Sequence, residues 1–337
     1  MDQNKINGFD FIRAFSIFFI FIAHIIDKQC DNQTILLIGR AISPGLTMSM
    51  LGFISGYLLS SKYKTSFDGI FYIKRFSRIY SSLFVCLTLI IILHIILSYD
   101  VINQHSIIHY MGLSFFIELM QIENNSSIGK GLWFITIINI MYLTIPLITF
   151  IYSHKNKLIH VIFVVITCLF LEELMSSTAS AWNVIIAFNI GCFIGITSSV
   201  NELSQKSTAF YALSTSLLII ISALATSRII PYEIRHLLFP IYPIFAAPFL
   251  FKIGNNLKGI QQKLVSWFSS ISYEIYIIHF YFINKNFEDL FPNITSLWLQ
   301  IVIAIIIVLP LAHILSKLSS FISRNTNNYL TYRNKIA

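Results

Sequence analysis

The chain has 337 residues, of which 56% are hydrophobic and only 11% are charged. A soluble domain carries about 25% charged residues, so this composition excludes a soluble globular fold, and the 30 Phe exclude a disordered chain. Apolar runs of about 17 to 25 residues recur along the whole length, which is typical of an all-α polytopic membrane protein. The four cysteines show neither metal-binding nor disulfide spacing, and we expect no metal cofactor.

The apolar runs predict about ten transmembrane helices in a single membrane-embedded domain, residues 1–337, that ends in a basic cytoplasmic tail, residues 318–337. A further apolar stretch, residues 105–121, is too short and interrupted for another span and predicts an interfacial or re-entrant helix. In chain order, the predicted spans cover roughly residues 9–26, 38–60, 78–97, 132–152, 158–175, 182–199, 208–227, 237–255, 266–284 and 297–317.

Basic residues predict the orientation, because cytoplasmic loops are enriched in Lys and Arg. If both termini are cytoplasmic, 16 basic residues lie inside and 6 outside, and Arg13 within the first span completes the total of 23. This distribution accounts for the net charge of +8, so we expect a lipid bilayer and no nucleic acid as partner. The six outer basic residues are Lys28, Arg40, Lys130, Arg228, Arg235 and Lys285.

The first span contains two ionisable residues, Arg13 and His24, which are costly at membrane depth and therefore mark a candidate functional site. Eleven residues of helix separate them by about 16 Å along the axis and about 20° around it, so both project from one face. A histidine whose pKa is near neutrality can accept a proton from a hydroxyl, and an arginine can stabilise negative charge. The alternative is a snorkelling arginine and a structural histidine.

Two other segments also carry candidate site residues. Arg75 and Arg78 share a helix face at the cytoplasmic start of the third span, where paired guanidinium groups suit phosphate, although an ordinary positive-inside cluster is the alternative. In the ninth span Tyr273, Tyr276 and His279 form a polar stripe beside Glu274, which predicts a lined cavity or, alternatively, an aromatic belt with a structural histidine.

Smaller features have structural interpretations. The small residues of ISGYLLS, residues 54–60, and of GCFIG, residues 191–195, predict close packing between helices. Glu172 and Glu173 lie near an outer helix end, where we expect them to be solvated.

Five segments in this order resemble acyltransferase family 3, a family of integral membrane acyltransferases. They are FDFIRAFSIFFIFIAH at the start, then GFISGYLL, KRFSR, GLWFITIINIMYLTIP and ISYEIYIIH. The resemblance covers positions 7 to 282 and is to the shorter branch of the family, which has no appended esterase-like domain. One departure is that many glycan O-acetyltransferases of the family carry acidic residues shortly after the tryptophan, where this chain has Ile138 and Asn139.

The resemblance implies transfer of an acyl group, usually acetyl, from cytoplasmic acyl-CoA to a hydroxyl of a surface or lipid-linked polysaccharide, at the inner membrane of a bacterium. Arg13 and His24 would be the essential pair, and Arg75 and Arg78 would bind the donor. The substrate pocket would contain Asp10, Trp133, Tyr273, Tyr276 and His279.

Two questions stay open at this point. The residues do not decide between direct transfer and a covalent acyl-histidine intermediate. A secondary transporter or flippase of a glycan intermediate is the alternative function, since intramembrane Arg, His and Tyr also suit a proton-coupled carrier. The apparent lack of an inverted repeat and of paired broken helices argues against that alternative.

Overall fold

The structure is a computed structural model, and it consists of helices and connecting loops, with no strand among the residues it describes. These residues are 3–30, 32–41, 44–63, 67–98, 103–124, 126–154, 157–175, 180–198, 205–231, 233–283, 291, 294 and 296–336.

The helices are numbered in chain order. They are α1 (Gln3–Gln29), α2 (Gln33–Ala41), α3 (Pro44–Tyr63), α4 (Gly69–Ile96), α5 (Gln104–Tyr110), α6 (Ser114–Leu119), α7 (Trp133–Tyr152), α8 (Lys157–Met175), α9 (Ala181–Thr197), α10 (Thr208–Thr226), α11 (Glu233–Asn256), α12 (Gly259–Ser270), α13 (Ser272–Ile278) and α14 (Leu297–Ile336), with a 3₁₀ turn at His279–Phe282 after α13.

Eight of the described helical segments are long and apolar enough to cross a membrane, where the sequence predicts about ten. This finding confirms the all-α polytopic membrane class but not the exact number of spans. The sixth predicted span, α9, has 17 residues and is therefore about 25 Å long, shorter than a hydrocarbon core of about 30 Å. The ninth predicted span is interrupted.

The interruption of the ninth span lies at Ile271, where α12 ends and α13 begins. Serines flank this residue on both sides, and Ser270 Oγ donates a hydrogen bond to the carbonyl of Trp267 at 2.6 Å. Such side-chain bonds to the backbone compete with helical hydrogen bonds. The many large apolar residues of 266–284 favour one continuous span in a hydropathy reading and so conceal this local signal.

The third span begins earlier than predicted, at Gly69 instead of residue 78. Asp68 caps this helix, because its carboxylate accepts a hydrogen bond from the backbone N–H of Phe71 at 2.8 Å. Arg75 and Arg78 consequently lie within α4 rather than at its first turn. Similarly, α14 continues through the predicted tail to Ile336 as one helix.

The contacts divide the chain into two compact units. The first unit consists of Met1–Thr65 and Thr144–Ser270, and the second of Ser66–Leu143 and Ile271–Ala337. In the first unit, α1, α3 and α11 enclose an apolar core with large side chains such as Phe53, Tyr57 and Phe251. In the second unit, α4 packs against α14 and α13.

Helices α3 and α9 of the first unit approach each other closely through glycines, as the small-residue motifs predict. A Cβ atom on Gly56 would lie 2.1 Å from the carbonyl oxygen of Phe188, and one on Gly191 would lie 2.1 Å from that of Phe53. Each helix therefore presents a glycine to the backbone of the other, which is the geometry that small residues permit between membrane helices.

Replacing Gly191 with Ala should destabilise the protein by about 1–3 kcal/mol, because the new methyl group would force the backbone of α3 to move. The matched control is Gly69→Ala, since a Cβ at that position would meet no atom within 4 Å. Thermal unfolding of the detergent-solubilised variants measures the difference. Equal unfolding temperatures for the two variants would contradict the packing interpretation.

Candidate active site

Asp10 connects α1 to α12 in the first unit. Its carboxylate oxygen Oδ1 accepts a hydrogen bond from Ser269 Oγ at 3.1 Å and lies 3.3 Å from Arg13 Nη1, while Ser266 Oγ is 3.4 Å from Oδ2. The carboxylate is mostly buried, whereas the Arg13 side chain is 42% exposed. The predicted pocket residue Asp10 and the predicted essential Arg13 are thus in direct contact, one helical turn apart.

His24 lies toward the other end of α1 and lines a cavity of about 470 Å³. This volume is in the range of small-molecule sites. The imidazole is half-buried, so it combines access to the cavity with partial shielding from solvent. The described residues of the lining are Ala23, His24, Ile26, Asp27, Leu36, Gly39, Arg40, Thr226, Arg228 and Arg235.

The wall of this cavity is fixed by bonds to the end of α2. The last carbonyl groups of a helix have no partners within the helix. Here Arg235 of α11 donates to the carbonyl of Arg40, and Ser222 of α10 donates to that of Ala41 at 3.1 Å. Arg40 also pairs with Asp27 of α1, with Nε and Oδ1 3.1 Å apart. Three other helices therefore hold α2 in place.

Arg13 and His24 lie on the continuous helix α1, as predicted, but their side chains have different surroundings. The eleven residues between them correspond to about 16 Å of helix, and Arg13 contacts Asp10 whereas His24 faces the cavity. The prediction that these two residues act as a pair remains a prediction.

A second histidine of the first unit is paired with a carboxylate. His236 Nδ1 lies 2.9 Å from Glu172 Oε1, and Asn183 Nδ2 donates to the same oxygen at 3.0 Å. The expectation that Glu172 is a solvated residue is wrong, since its side chain is mostly buried and doubly bonded. Sequence reasoning missed this pair because the two residues lie 64 positions apart.

Arg75 lies in the second unit beside two aromatic rings. Its guanidinium carbon is 5.8 Å from the ring centre of Phe71 and 5.7 Å from that of Tyr142. These are cation–π distances, and the two rings are themselves in edge-on contact, with centres 6.5 Å apart. Arg78, three residues later, is exposed and interacts electrostatically with the carboxyl group of Glu274.

The polar stripe of the ninth predicted span lies on α13 and the 3₁₀ turn. The Tyr276 hydroxyl donates to the carbonyl of Gly131, and the ring packs edge-on against Phe134, beside Trp133 at the start of α7. The Tyr273 hydroxyl is buried and has no hydrogen-bond partner among the described residues. Such a hydroxyl can bond a ligand without first losing a protein partner.

The side chains of His279 and Glu274 are hydrogen-bonded to other groups of the protein. His279 Nδ1 lies 2.8 Å from the carbonyl of Tyr276, so this nitrogen is a donor and Nε2 carries the lone pair of the neutral ring. The Glu274 carboxylate accepts hydrogen bonds from Ser82 of α4 at 2.6 Å and from Ser319 of α14 at 3.1 Å. Glu274 therefore ties three helices of this unit together.

Asn139 of α7 stabilises the turn between α5 and α6. Its Nδ2 donates to the hydroxyl of Tyr80 at 3.1 Å and is 3.4 Å from the carbonyl of Gly112. Thr136, one turn earlier, donates to the same carbonyl at 2.8 Å. Asn139 thus has a structural role in this chain.

A buried histidine organises the loop that precedes α7. His109 is bonded through Nδ1 to Ser114 at 3.0 Å and through Nε2 to Asn124 at 3.1 Å, and its burial lowers its pKa. Gly129 packs on this ring in a left-handed conformation, with φ of 97°, and a Cβ there would overlap the imidazole. Sequence reasoning missed both residues.

Glu118 on α6 is an acidic group that sequence reasoning also missed. Burial raises its pKa to about 7, because the surrounding apolar groups disfavour the charged carboxylate. Its carboxyl group interacts electrostatically with Tyr276. In the sequence, the only indication of this group is that Glu118 is a single acidic residue within the apolar run SFFIELM.

This raised pKa predicts a pH-dependent stability. Glu118 has a folded-state pKa of about 7, above the unfolded value of about 4.5. Its contribution to the stability of the fold is therefore fully present below pH 4.5 and is lost as the pH rises through 7. As the pH rises from 5 to 8, the free energy of unfolding of Glu118→Gln should therefore increase by about 1–2 kcal/mol relative to that of the wild type. Unfolding temperatures at both pH values measure this gain, and the exposed Glu123→Gln is the control. A gain equal to that of the control would refute the assignment.

The predicted site residues fall into two sets. Asp10, Arg13 and His24 belong to the first unit, and Arg75, Arg78, Trp133, Tyr273, Tyr276 and His279 belong to the second. Among the described residues no group of three or more His, Cys, Asp or Glu is arranged to hold a metal ion.

Comparison with protein-family models matches residues 6–317 to a family described as an acyltransferase domain, acyltransferase family 3. No match was found among curated proteins or among solved structures. The family match spans nearly the whole chain, includes every predicted site residue and agrees with the eight apolar helices. The chain therefore belongs to acyltransferase family 3 and is a multi-pass membrane acyltransferase.

Proposed function

We propose that this acyltransferase moves an acetyl or other short acyl group from cytoplasmic acyl-CoA to a hydroxyl of a surface or lipid-linked polysaccharide, in the inner membrane of a bacterium. The observation that carries this proposal is that His24, an ionisable residue within the first apolar helix, lines a cavity of about 470 Å³. No observation specifically favours a transporter or flippase, and the family of the chain is one of acyltransferases.

In the proposed reaction, His24 is the general base. The acceptor hydroxyl oxygen attacks the carbonyl carbon of the thioester as the imidazole takes the hydroxyl proton. The C–S bond then breaks, and the thiolate of coenzyme A recovers a proton from the imidazolium. A route through an acyl-histidine would use the same imidazole as nucleophile.

Arg13 has the role of an electrostatic partner in this proposal. Its guanidinium is held by Asp10, which is itself bonded to Ser269, so its position is fixed while a large part of the side chain remains exposed. A fixed positive charge of this kind can stabilise a phosphate or a developing negative charge.

Arg75 and Arg78 are the proposed donor-binding residues. Coenzyme A carries several phosphate groups, and a guanidinium group can bind a phosphate with two parallel hydrogen bonds. The cation–π contacts of Arg75 with Phe71 and Tyr142 support the proposal, because they restrict the positions of this group before the donor binds. Trp133, Tyr273, Tyr276 and His279 are proposed as further pocket residues. The buried hydroxyl of Tyr273, which has no hydrogen-bond partner among the described residues, supports this role best.

Changing His24 to Ala or to Asn should reduce acyl transfer at least about 100-fold, because neither side chain can accept the hydroxyl proton. Membrane insertion should be unaffected, since both changes remove an ionisable group from an apolar helix. Transfer of labelled acetyl from acetyl-CoA to glycan in membrane vesicles measures the effect.

His160→Asn is the matched control for this test, since it makes the same change at an exposed position of α8. Near-normal transfer by His24→Asn would mean that His24 has only a structural role. His236, which Glu172 orients, would then become the strongest candidate for the base.

Changing Arg75 or Arg78 to Lys should raise the KM for acyl-CoA by about tenfold, because lysine keeps the charge but cannot form two parallel bonds to a phosphate. The effect should be larger for Arg75, since this change also alters the cation–π contacts with Phe71 and Tyr142. Initial rates at several acyl-CoA concentrations test this expectation, with the exposed Arg324→Lys as control. Unchanged KM values in both variants would leave the two arginines as topological determinants only.

A further inference from the structure

The cavity beside His24 has an excess of positive charge. The described residues of its lining include three arginines, Arg40, Arg228 and Arg235, but a single carboxylate, Asp27. Arg40 is paired with that carboxylate. The lining therefore carries a net charge of about two positive units when His24 is neutral, which favours an anionic ligand.

These arginines are at positions where the membrane topology disfavours them. In the predicted orientation only six basic residues lie outside, and Arg40, Arg228 and Arg235 are the only arginines among them. All three line this one cavity. Topology explains the basic residues on the cytoplasmic side but not this cluster, so the cluster requires a different explanation.

Two of the three arginines are in positions that cost free energy, Arg235 because it is buried and Arg228 because of its backbone conformation. Arg235 is only 8% exposed, its guanidinium lies 5.3 Å from the ring centre of Phe239, and it donates to the carbonyl of Arg40. Arg228 has a left-handed backbone with φ of 58°, a conformation that a residue with a Cβ adopts only at a cost.

We propose that this cavity binds a carboxylate or phosphate group of the acceptor, so that the acceptor of this enzyme is an acidic glycan. The inference rests on the proposed function, in which His24 deprotonates an acceptor hydroxyl. The anionic group occupies the arginine side of the cavity and places a neighbouring hydroxyl against His24. Because the cavity lies at the outer end of α1 in the predicted orientation, the acceptor rather than cytoplasmic acyl-CoA is the ligand.

The test measures ligand binding by the full-length protein in nanodiscs of uncharged lipid. The probes are methyl glucuronoside, its neutral counterpart methyl glucoside, inorganic pyrophosphate and coenzyme A. The wild type should bind the glucuronoside or pyrophosphate and should not bind the glucoside at the same concentration. Binding of the glucuronoside indicates a sugar carboxylate, and binding of pyrophosphate alone indicates the diphosphate of a lipid-linked glycan.

Arg228→Gly is the decisive variant, because glycine fits the left-handed backbone and the fold should be retained or stabilised. It should weaken binding of the anionic probe by about tenfold or more, the usual effect of losing a charge-assisted hydrogen bond. Its affinity for coenzyme A should not change. The exposed Arg324→Gln should leave the binding of every probe unchanged.

Three results would overturn the inference. The first is equal binding of methyl glucoside and methyl glucuronoside. The second is anion binding that is the same in the wild type and Arg228→Gly. The third is loss of coenzyme A binding in Arg228→Gly, which would assign the cavity to the donor.

Mass spectrometry of the modified glycan separates this inference from the proposed function. Acyl groups on a neutral glycan that is not linked to a lipid diphosphate would refute only the anionic acceptor, whereas no acyl transfer to any glycan would refute the proposed function itself.

Discussion

A polar side chain among apolar helices must find its partner within the protein, because the surroundings supply no water to bond it. In the first unit, Asp10 is bonded by Ser269 of α12, and Tyr152 of α7 donates to Asn189 of α9 at 3.1 Å. In the second unit, Glu274 of α13 accepts from Ser82 of α4 and Ser319 of α14. Apolar contacts alone discriminate poorly between helices in lipid, so these bonds, together with the glycine contacts of α3 and α9, favour particular helix pairs.

The same constraint distinguishes structural residues from candidates for chemistry. Glu274, Asn139 and His109 have their bonds to other parts of the protein, and each fixes a helix or a turn. His24, Arg228 and Arg235 line a cavity, and Arg235 also donates to the carbonyl of Arg40. Hydrogen bonds and cation–π contacts do not neutralise the excess positive charge of this lining, so an anionic ligand would be favoured there.

The sequence predicts those features that depend on neighbouring residues. The periodicity of α1 gives the common face of Arg13 and His24, and the spacing of glycines gives the close approach of α3 and α9. Helix boundaries that depend on a single cap or on a few serines within an apolar segment were predicted incorrectly. The Asp68 cap moves the start of α4, and the serines around Ile271 divide the ninth span.

The cavity and the pairs at long range could not be predicted from one sequence. The lining comes from residues 23–40 and 226–235, which are nearly two hundred positions apart, and nothing in either segment indicates that they meet. His236 and Glu172 illustrate the same problem at 64 positions. Hydropathy shows that a charged residue is costly in a helix, but it does not show which other helix supplies its partner.

The departure at Ile138 and Asn139 removes an acidic group from α7, yet the second unit retains one on α6. Glu118 has a pKa of about 7, so near neutral pH it exchanges protons readily, as a general acid or base must. It interacts with Tyr276, one of the predicted pocket residues. Helices α6 and α7 are joined where Thr136 accepts a hydrogen bond from the backbone N–H of Phe115 at 3.1 Å. This bond attaches α6, the helix that carries Glu118, to α7, and Glu118 gives this unit a proton-exchanging group although α7 has Ile138 and Asn139 at those two positions.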